Sequence, residues 1–247
     1  PSDFASTLRT VADVQGWMTD DQARLLWQRT SDLPDRALIV EIGSFQGRST
    51  IVLASAAPEG ARIVAIDPHA GNDRGPRQID GFQREAETDH AAFLANLERA
   101  GVRERVRHVR KLSSEAHADV EGDIDLLYID GAHRYRPARA DIVEWGGRVR
   151  PGGTMLIHDS FSSIGVTLAI ARELFWSPRF RYVGRSRSMT EYRAGADPTP
   201  AARAANALRQ AAQLGWFARN VLIKLLIVTG LGRFTRWLGH PGSDWPY

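Results

Sequence analysis

Short apolar runs alternate with segments of helical spacing through residues 37–158. Ala37-Leu-Ile-Val-Glu-Ile42, Arg62-Ile-Val-Ala-Ile-Asp67, Val106–Val109, Ile124-Asp-Leu-Leu-Tyr-Ile-Asp130 and Thr154-Met-Leu-Ile-His158 predict strands. Gly43 and Pro68 interrupt the first two. Residues 49–57, 93–100 and 138–149 predict helices, with Gly101 at the position that commonly closes one. Apolar strands separated by helices predict βαβ units and a mostly parallel, doubly wound α/β sheet with helices on both faces. Residues 70–90 are polar and carry Gly71, Gly75, Pro76 and Gly81, the pattern of a lid or a disordered loop beside a site.

After residue 193 the pattern changes. Residues 194–200 turn to Gly, Pro and Thr, a linker, and residues 201–226 return to helical spacing through Leu208, Val221, Leu222, Leu225 and Leu226. This predicts one α/β domain over 1–193 and a linker with a C-terminal amphipathic helical extension over 194–247. No internal repeat or low-complexity tract stands out.

Composition narrows the classes. Apolar content of 43% and charged content of 25% are globular values. The absence of cysteine removes thiolate metal sites and cysteine nucleophiles, and fits a reducing cytoplasm. Residues 1–18 lack an apolar run behind a basic start, so no secretory leader is expected, and no run of about 18 apolar residues predicts a span. Six basic and no acidic residues lie between Pro198 and Ser243, which more than accounts for the net charge of +3. They form no dense cluster with interleaved aromatics, so no nucleic-acid partner is expected. For the tail three readings compete: packing on its own domain, packing on a second subunit as a homodimer, which is the working expectation, or a peripheral membrane contact.

In doubly wound folds, ligands sit beyond the carboxyl ends of the strands. The first such end is Glu41-Ile-Gly43-Ser44-Phe45-Gln46-Gly47-Arg48-Ser49. Glycine there permits a tight turn, and the next helix offers free amides to a carboxylate. The second end gives Asp67, able to accept from the ribose hydroxyls of an adenosine cofactor. Phe45 stands where a dinucleotide fingerprint wants its second glycine, which favours S-adenosylmethionine (SAM) over NAD. The plainer alternatives are a structural glycine turn, Asp67 as a turn cap and Glu41 as a solvated strand residue. Asp130 and Asp159 end two further strands. Two carboxylates so placed repel unless a proton or a cation separates them, and a divalent ion, magnesium by default, suits oxygen ligands.

As an ordered set, Val40 to Ser49, Asp67, Leu126 to Tyr135, Pro151 to Thr154 and Leu156 to Ser160 resemble the class I, Rossmann-like SAM-dependent methyltransferases. They are most similar to the metal-dependent branch of catechol-type and bacterial sugar or macrolide-sugar O-methyltransferases. The resemblance spans about residues 14–185. It implies cofactor contacts at Glu41, Gly43, Ser44, Ser49, Asp67, Asp130 and, for adenine, Ser113 and Ser114, which equally suit a helix cap. It implies metal ligands at Asp130 and Asp159 and a third beside the second aspartate, His158 or Ser160, with His158 preferred although some relatives carry a longer acidic residue there; an imidazole shifts preference towards manganese or later metals. It places the general base at His133, where catechol-type enzymes use lysine, and a neutral imidazole suits that task near physiological pH. The implied reaction is methyl transfer to a hydroxyl of a sugar, oligosaccharide or glycosylated metabolite. The alternatives are a catechol-like acceptor or a SAM-binding or membrane-associated module without catalysis. His69 is a further candidate for the pocket, whereas His90, His108, His117 and His240 carry no assigned role. Tyr135, Trp145, Phe161 and Trp176 are divided between substrate wall and core.

Overall fold

A computed structural model describes residues 3–71, 83–195 and 198–240. The predicted strands form β1 (Leu38–Ile42), β2 (Arg62–Ile66), β3 (Val106–Val109), β4 (Ile124–Ile129) and β5 (Val149–Ile157). β6 (Phe180–Ser186) and β7 (Met189–Ala194) complete a seven-stranded sheet ordered β3-β2-β1-β4-β5-β7-β6. β7 alone runs against its neighbours, so the sheet is mostly parallel and Rossmann-like. The strand order reverses between β1 and β4, and in such sheets that crevice receives the ligand.

Strand alternation divides the core in two. Val40, Ile42, Leu127, Ile129, Met155 and Ile157 face one side and pack with Trp145, Val166 and Ile170. Ile39, Ala65, Leu126, Tyr128 and Leu156 face the other and pack with Leu26, Ile51, Leu53 and Phe93. Successive side chains of a strand point to opposite faces, so a run that is apolar throughout requires cover on both.

That cover comes from helices on each side. α1 (Phe4–Val11), α2 (Asp20–Ser31), α3 (Arg48–Ala56) and α4 (Gln83–Arg99) contribute to the second cluster. α5 (Tyr135–Ala140) and α6 (Ile164–Glu173) contribute to the first. α2 begins with a reciprocal cap, Thr19 and Gln22 each bonding the other's backbone amide. The helix expected over 138–149 is shorter and irregular: α5 widens into a π turn over Asp141–Trp145 and tightens into a 3-10 turn over Gly146–Arg148. The part of the expected loop over 83–90 is helical and opens α4; residues 72–82 lie outside the described residues.

The C-terminal extension is two helices, α7 (Pro200–Ala211) and α8 (Leu214–Val228), where one pattern was expected. Asn206 holds α7 to the domain, accepting from Tyr182 N at 2.7 Å and donating to the Leu174 carbonyl at 3.0 Å. Asn220 and Ile223 of α8 are fully buried. Trp245 and Tyr247 lie outside the described residues.

Candidate active site

The turn after β1 is shaped by a close approach. Gly43 has φ +86°, and a Cβ there would lie 2.2 Å from the Asp130 carbonyl oxygen, so the ends of β1 and β4 nearly touch. From β2, the Asp67 carboxylate accepts from Ser44 N (2.8 Å) and Phe45 N (2.9 Å) through one oxygen and from His69 N (2.7 Å) through the other. One acid thus fixes two strand-end loops. Beneath them, Ser49 and Thr50 at the start of α3 donate their hydroxyls to the two oxygens of Glu41, the second at 2.5 Å. Burial pushes the Glu41 carboxyl up to about 8, against the pull of those hydroxyls. Glu41, Gly43, Ser44, Ser49 and Asp67 therefore form one constellation.

Ser113 lies in a short turn after β3, with its hydroxyl donating to Asp141 at 2.5 Å and its carbonyl accepting from the Trp145 indole at 3.2 Å. Ser114 is exposed. Asp141, which sequence reasoning did not single out, is buried, and burial lifts its carboxyl to about 6. It stands beside Gly131, whose Cβ position lies 3.5 Å from Asp141 Oδ2. The only sequence signal was an acid within the predicted helix 138–149.

At the ends of β4 and β5 the second cluster assembles. Tyr128 donates its hydroxyl to Asp130 Oδ2 at 3.1 Å, and His158 Nδ1 lies 3.2 Å from Asp130 Oδ1 and 3.7 Å from Asp159 Oδ2. His133 Nε2 approaches Asp159 Oδ2 to 2.5 Å. Burial alone would lower the His158 imidazole, but the carboxylates of Asp130 and Asp159 outweigh it and raise it to about 10. For Asp159 the balance is reversed: burial would raise it, and the two imidazoles hold it well below the usual carboxylate range. Asp159 and Phe161 both adopt left-handed backbone (φ +54°), uncommon for residues with a Cβ.

Asp130, His133 and Asp159 each present a ligand atom within 4.8 Å of the others, alone in this among the described residues. Two carboxylates and an imidazole fit a divalent cation by donor chemistry. His158, expected as the third ligand, keeps Nδ1 within 3.7 Å of both acids but has only 2% of its side chain exposed, whereas His133 retains 22%.

His69 is buried against the same floor, its Nε2 2.8 Å from the Phe45 carbonyl oxygen. Its ring lies 5.0 Å from both His90 and His108, with Phe93 alongside. Among the aromatic candidates, Trp145 and Phe161 are fully buried, Tyr135 is 38% exposed and Trp176 55%.

Residues 40–160 match the sequence model of a methyltransferase-domain family, a span that contains every candidate residue from Glu41 to Asp159. By this match residues 40–160 carry a methyltransferase domain, set on the Rossmann-like sheet. A stretch of 126 residues is 30% identical to y4gI, an uncharacterised protein of Sinorhizobium fredii, covering 49% of this chain and 13% of that one. The methyltransferase domain also shares its fold with solved structures. An O-methyltransferase of Bacillus cereus in complex with S-adenosylhomocysteine matches 78% of this chain and 90% of its own at 19% identity, with a TM-score of 0.51. The S-adenosylhomocysteine-bound methyltransferase PaMTH1 of Podospora anserina matches 78% and 88% at 15% identity, with a TM-score of 0.58.

Proposed function

We propose that this methyltransferase transfers a methyl group from SAM to a hydroxyl of a sugar, oligosaccharide or glycosylated metabolite, with a divalent cation at Asp130 and Asp159 and His133 as general base. One observation carries the reading: the partly exposed His133 ring holds Nε2 against the Asp159 carboxylate at the strand ends next to the Gly43 turn. A carboxylate on one ring nitrogen orients the imidazole and supports the positive charge it gains, leaving the other nitrogen to take a hydroxyl proton.

Asp67 and the Gly43 turn would hold the nucleoside, and the free amides at the start of α3 would face its carboxylate end. The cofactor supplies an electrophilic methyl on a sulfonium sulfur. A cation between Asp130 and Asp159 would lower the acidity threshold of a coordinated hydroxyl. The remaining contribution of the chain is to hold acceptor and methyl in line. Sugar acceptors rest on the resemblance of the motif set, and the O-methyltransferase named among the structural neighbours supports a hydroxyl acceptor.

The convergence of Asp130, His133 and Asp159 favours a second reading, in which His133 is itself the third metal ligand. Calorimetry separates the two. SAM binding with and without magnesium should be saturable in the wild type and lost in Asp67→Ala. If His133→Ala keeps wild-type magnesium and manganese affinity while methylation of a sugar panel stops, the base reading stands. Loss of metal affinity makes His133 a ligand. No SAM binding by the wild type under any condition overturns the proposal.

A further inference from the structure

Helix α8 has two faces with different tasks. Its inner face carries Asn220 and Ile223, both fully buried, and Lys224, which reaches the Ser162 carbonyl. Its outer face is apolar and bare: Leu214, Leu222, Leu225 and Val228 are 41% to 74% exposed, with exposed Ala218 between them. The intervals of four, four, three and three residues keep these side chains in a single stripe. Beyond the helix, Leu231 (43%) and Trp237 (84%) are also exposed.

Isolated surface leucines need no explanation, but a contiguous apolar stripe marks a contact surface. The run Pro200–Val228 is apolar enough by length and composition to cross a membrane, yet only 11% of its most apolar window is buried, so it is not a core helix. The inner-face anchors lay α8 along the domain, which turns the stripe sideways as an interfacial helix would present it.

Charge selects the partner. Arg233 and Arg236, in the turn that carries Trp237, are exposed, and no acidic residue occurs from Pro198 to Ser243. Two copies meeting through this face would bring like charges together, whereas an anionic surface would pair with both. A tryptophan beside arginines at the edge of an apolar stripe is the arrangement found at lipid headgroup depth. We propose that α8 and the turn after it dock on an anionic lipid bilayer, with the leucine stripe and Trp237 in the headgroup boundary.

The test is flotation of the full 247-residue chain on vesicles of phosphatidylcholine alone and of phosphatidylcholine with phosphatidylglycerol. Each arginine near an anionic leaflet adds about fivefold to the partition, so binding to the anionic vesicles should be at least ~10-fold stronger and should fall as salt is raised. Leu225→Glu should abolish it without changing the melting temperature. Should that variant misfold, Trp237→Ala, in an exposed turn, should weaken binding at least ~3-fold. Failure to bind either vesicle, or equal binding to both, overturns the proposal. So does a dimer by light scattering that Leu225→Glu dissociates while vesicles remain bare, since the stripe would then be an interface between copies.

Discussion

Lys224 Nζ donates to the Ser162 carbonyl at 2.9 Å and lies 3.2 Å from the Ser162 hydroxyl, which ties the C-terminal helix to the loop that carries Asp159. Asn220 adds a second tie from the same helix, to the Phe161 carbonyl at 3.3 Å. Between these anchors and the end of β5 the chain turns twice through left-handed backbone, at Asp159 and Phe161. Such a loop persists only where its surroundings hold it. Burial pushes the Lys224 ammonium down from its ordinary range, while Asp159 pulls it the other way, so the two charges sense one another.

Lys224→Met should therefore act on the chemistry and spare the cofactor. It removes two hydrogen bonds from the loop while keeping the stem that packs against it. Displacement of Asp159 by a fraction of an ångström should lower kcat on the order of 10-fold. SAM affinity, governed by the Gly43 and Asp67 loops, should stay within about twofold. Steady-state kinetics paired with calorimetry checks the split, and Lys224→Arg should recover part of the loss. Equal losses in kcat and SAM affinity would mean that the helix supports the whole domain.

Much of this arrangement was legible in the sequence because its signals are local. The runs that became β1, β2 and β4 are apolar on both faces, as central parallel strands must be, and their ends exposed Gly43, Asp67 and Asp130 directly. β6 and β7 were not, because β6 alternates buried Phe180 and Tyr182 with exposed Arg181 and Val183 and reads as a polar edge. In β7, Glu191 interrupts the apolar pattern, yet it is buried by a two-pronged pairing with Arg29, 162 residues away. The partnership of Ser113 with Asp141 and the packing of His69, His90 and His108 likewise join distant segments. α2 could have been read from its Thr19-x-x-Gln22 cap.

Gly43→Ala and Gly165→Ala should fail differently. Each would place a Cβ 2.2 Å from a backbone oxygen, that of Asp130 for Gly43 and that of His133 for Gly165. Backbone cannot yield as a flexible side chain does, so each should cost roughly 2 kcal/mol or more. Gly43 also needs its positive φ, and its loss should abolish SAM binding. Gly165 meets only the His133 turn, so its variant should bind SAM near normally and lose most of its turnover. Identical profiles for the two would show that the turns are not independent.

Glu41→Gln tests the acid under the cofactor turn. Its folded value is raised well above the ordinary 4.5, so its contribution is full below that point and is lost as pH rises towards about 8. The neutral amide does not titrate. The variant should melt close to wild type near pH 5 and above it near pH 9, with the hydroxyl that faces the amide nitrogen rotating to accept from it while the other still donates to the amide oxygen. A variant less stable than wild type at both pH values would mean that the ionised carboxylate is the form these hydroxyls hold.

The imidazole cluster predicts an acid limit on stability. Burial, reinforced by His69 and His90, lowers His108 from 6.5 to about 4, and burial also lowers His90. A base whose folded value is depressed favours the fold above its unfolded value, so this contribution is intact above pH 6.5 and is lost as pH falls towards 4. Discounted for partial exposure, it amounts to about 1–2 kcal/mol for His108. The His108 ring lies 4.8 Å from Phe93, so His108→Phe should fit the stack. Chemical denaturation of the wild type should show stability falling through this window, and the variant should retain about half of what is lost. A variant that follows the wild-type curve would show that the fall comes from elsewhere, with the Asp130–His158–Asp159 group the first alternative to test.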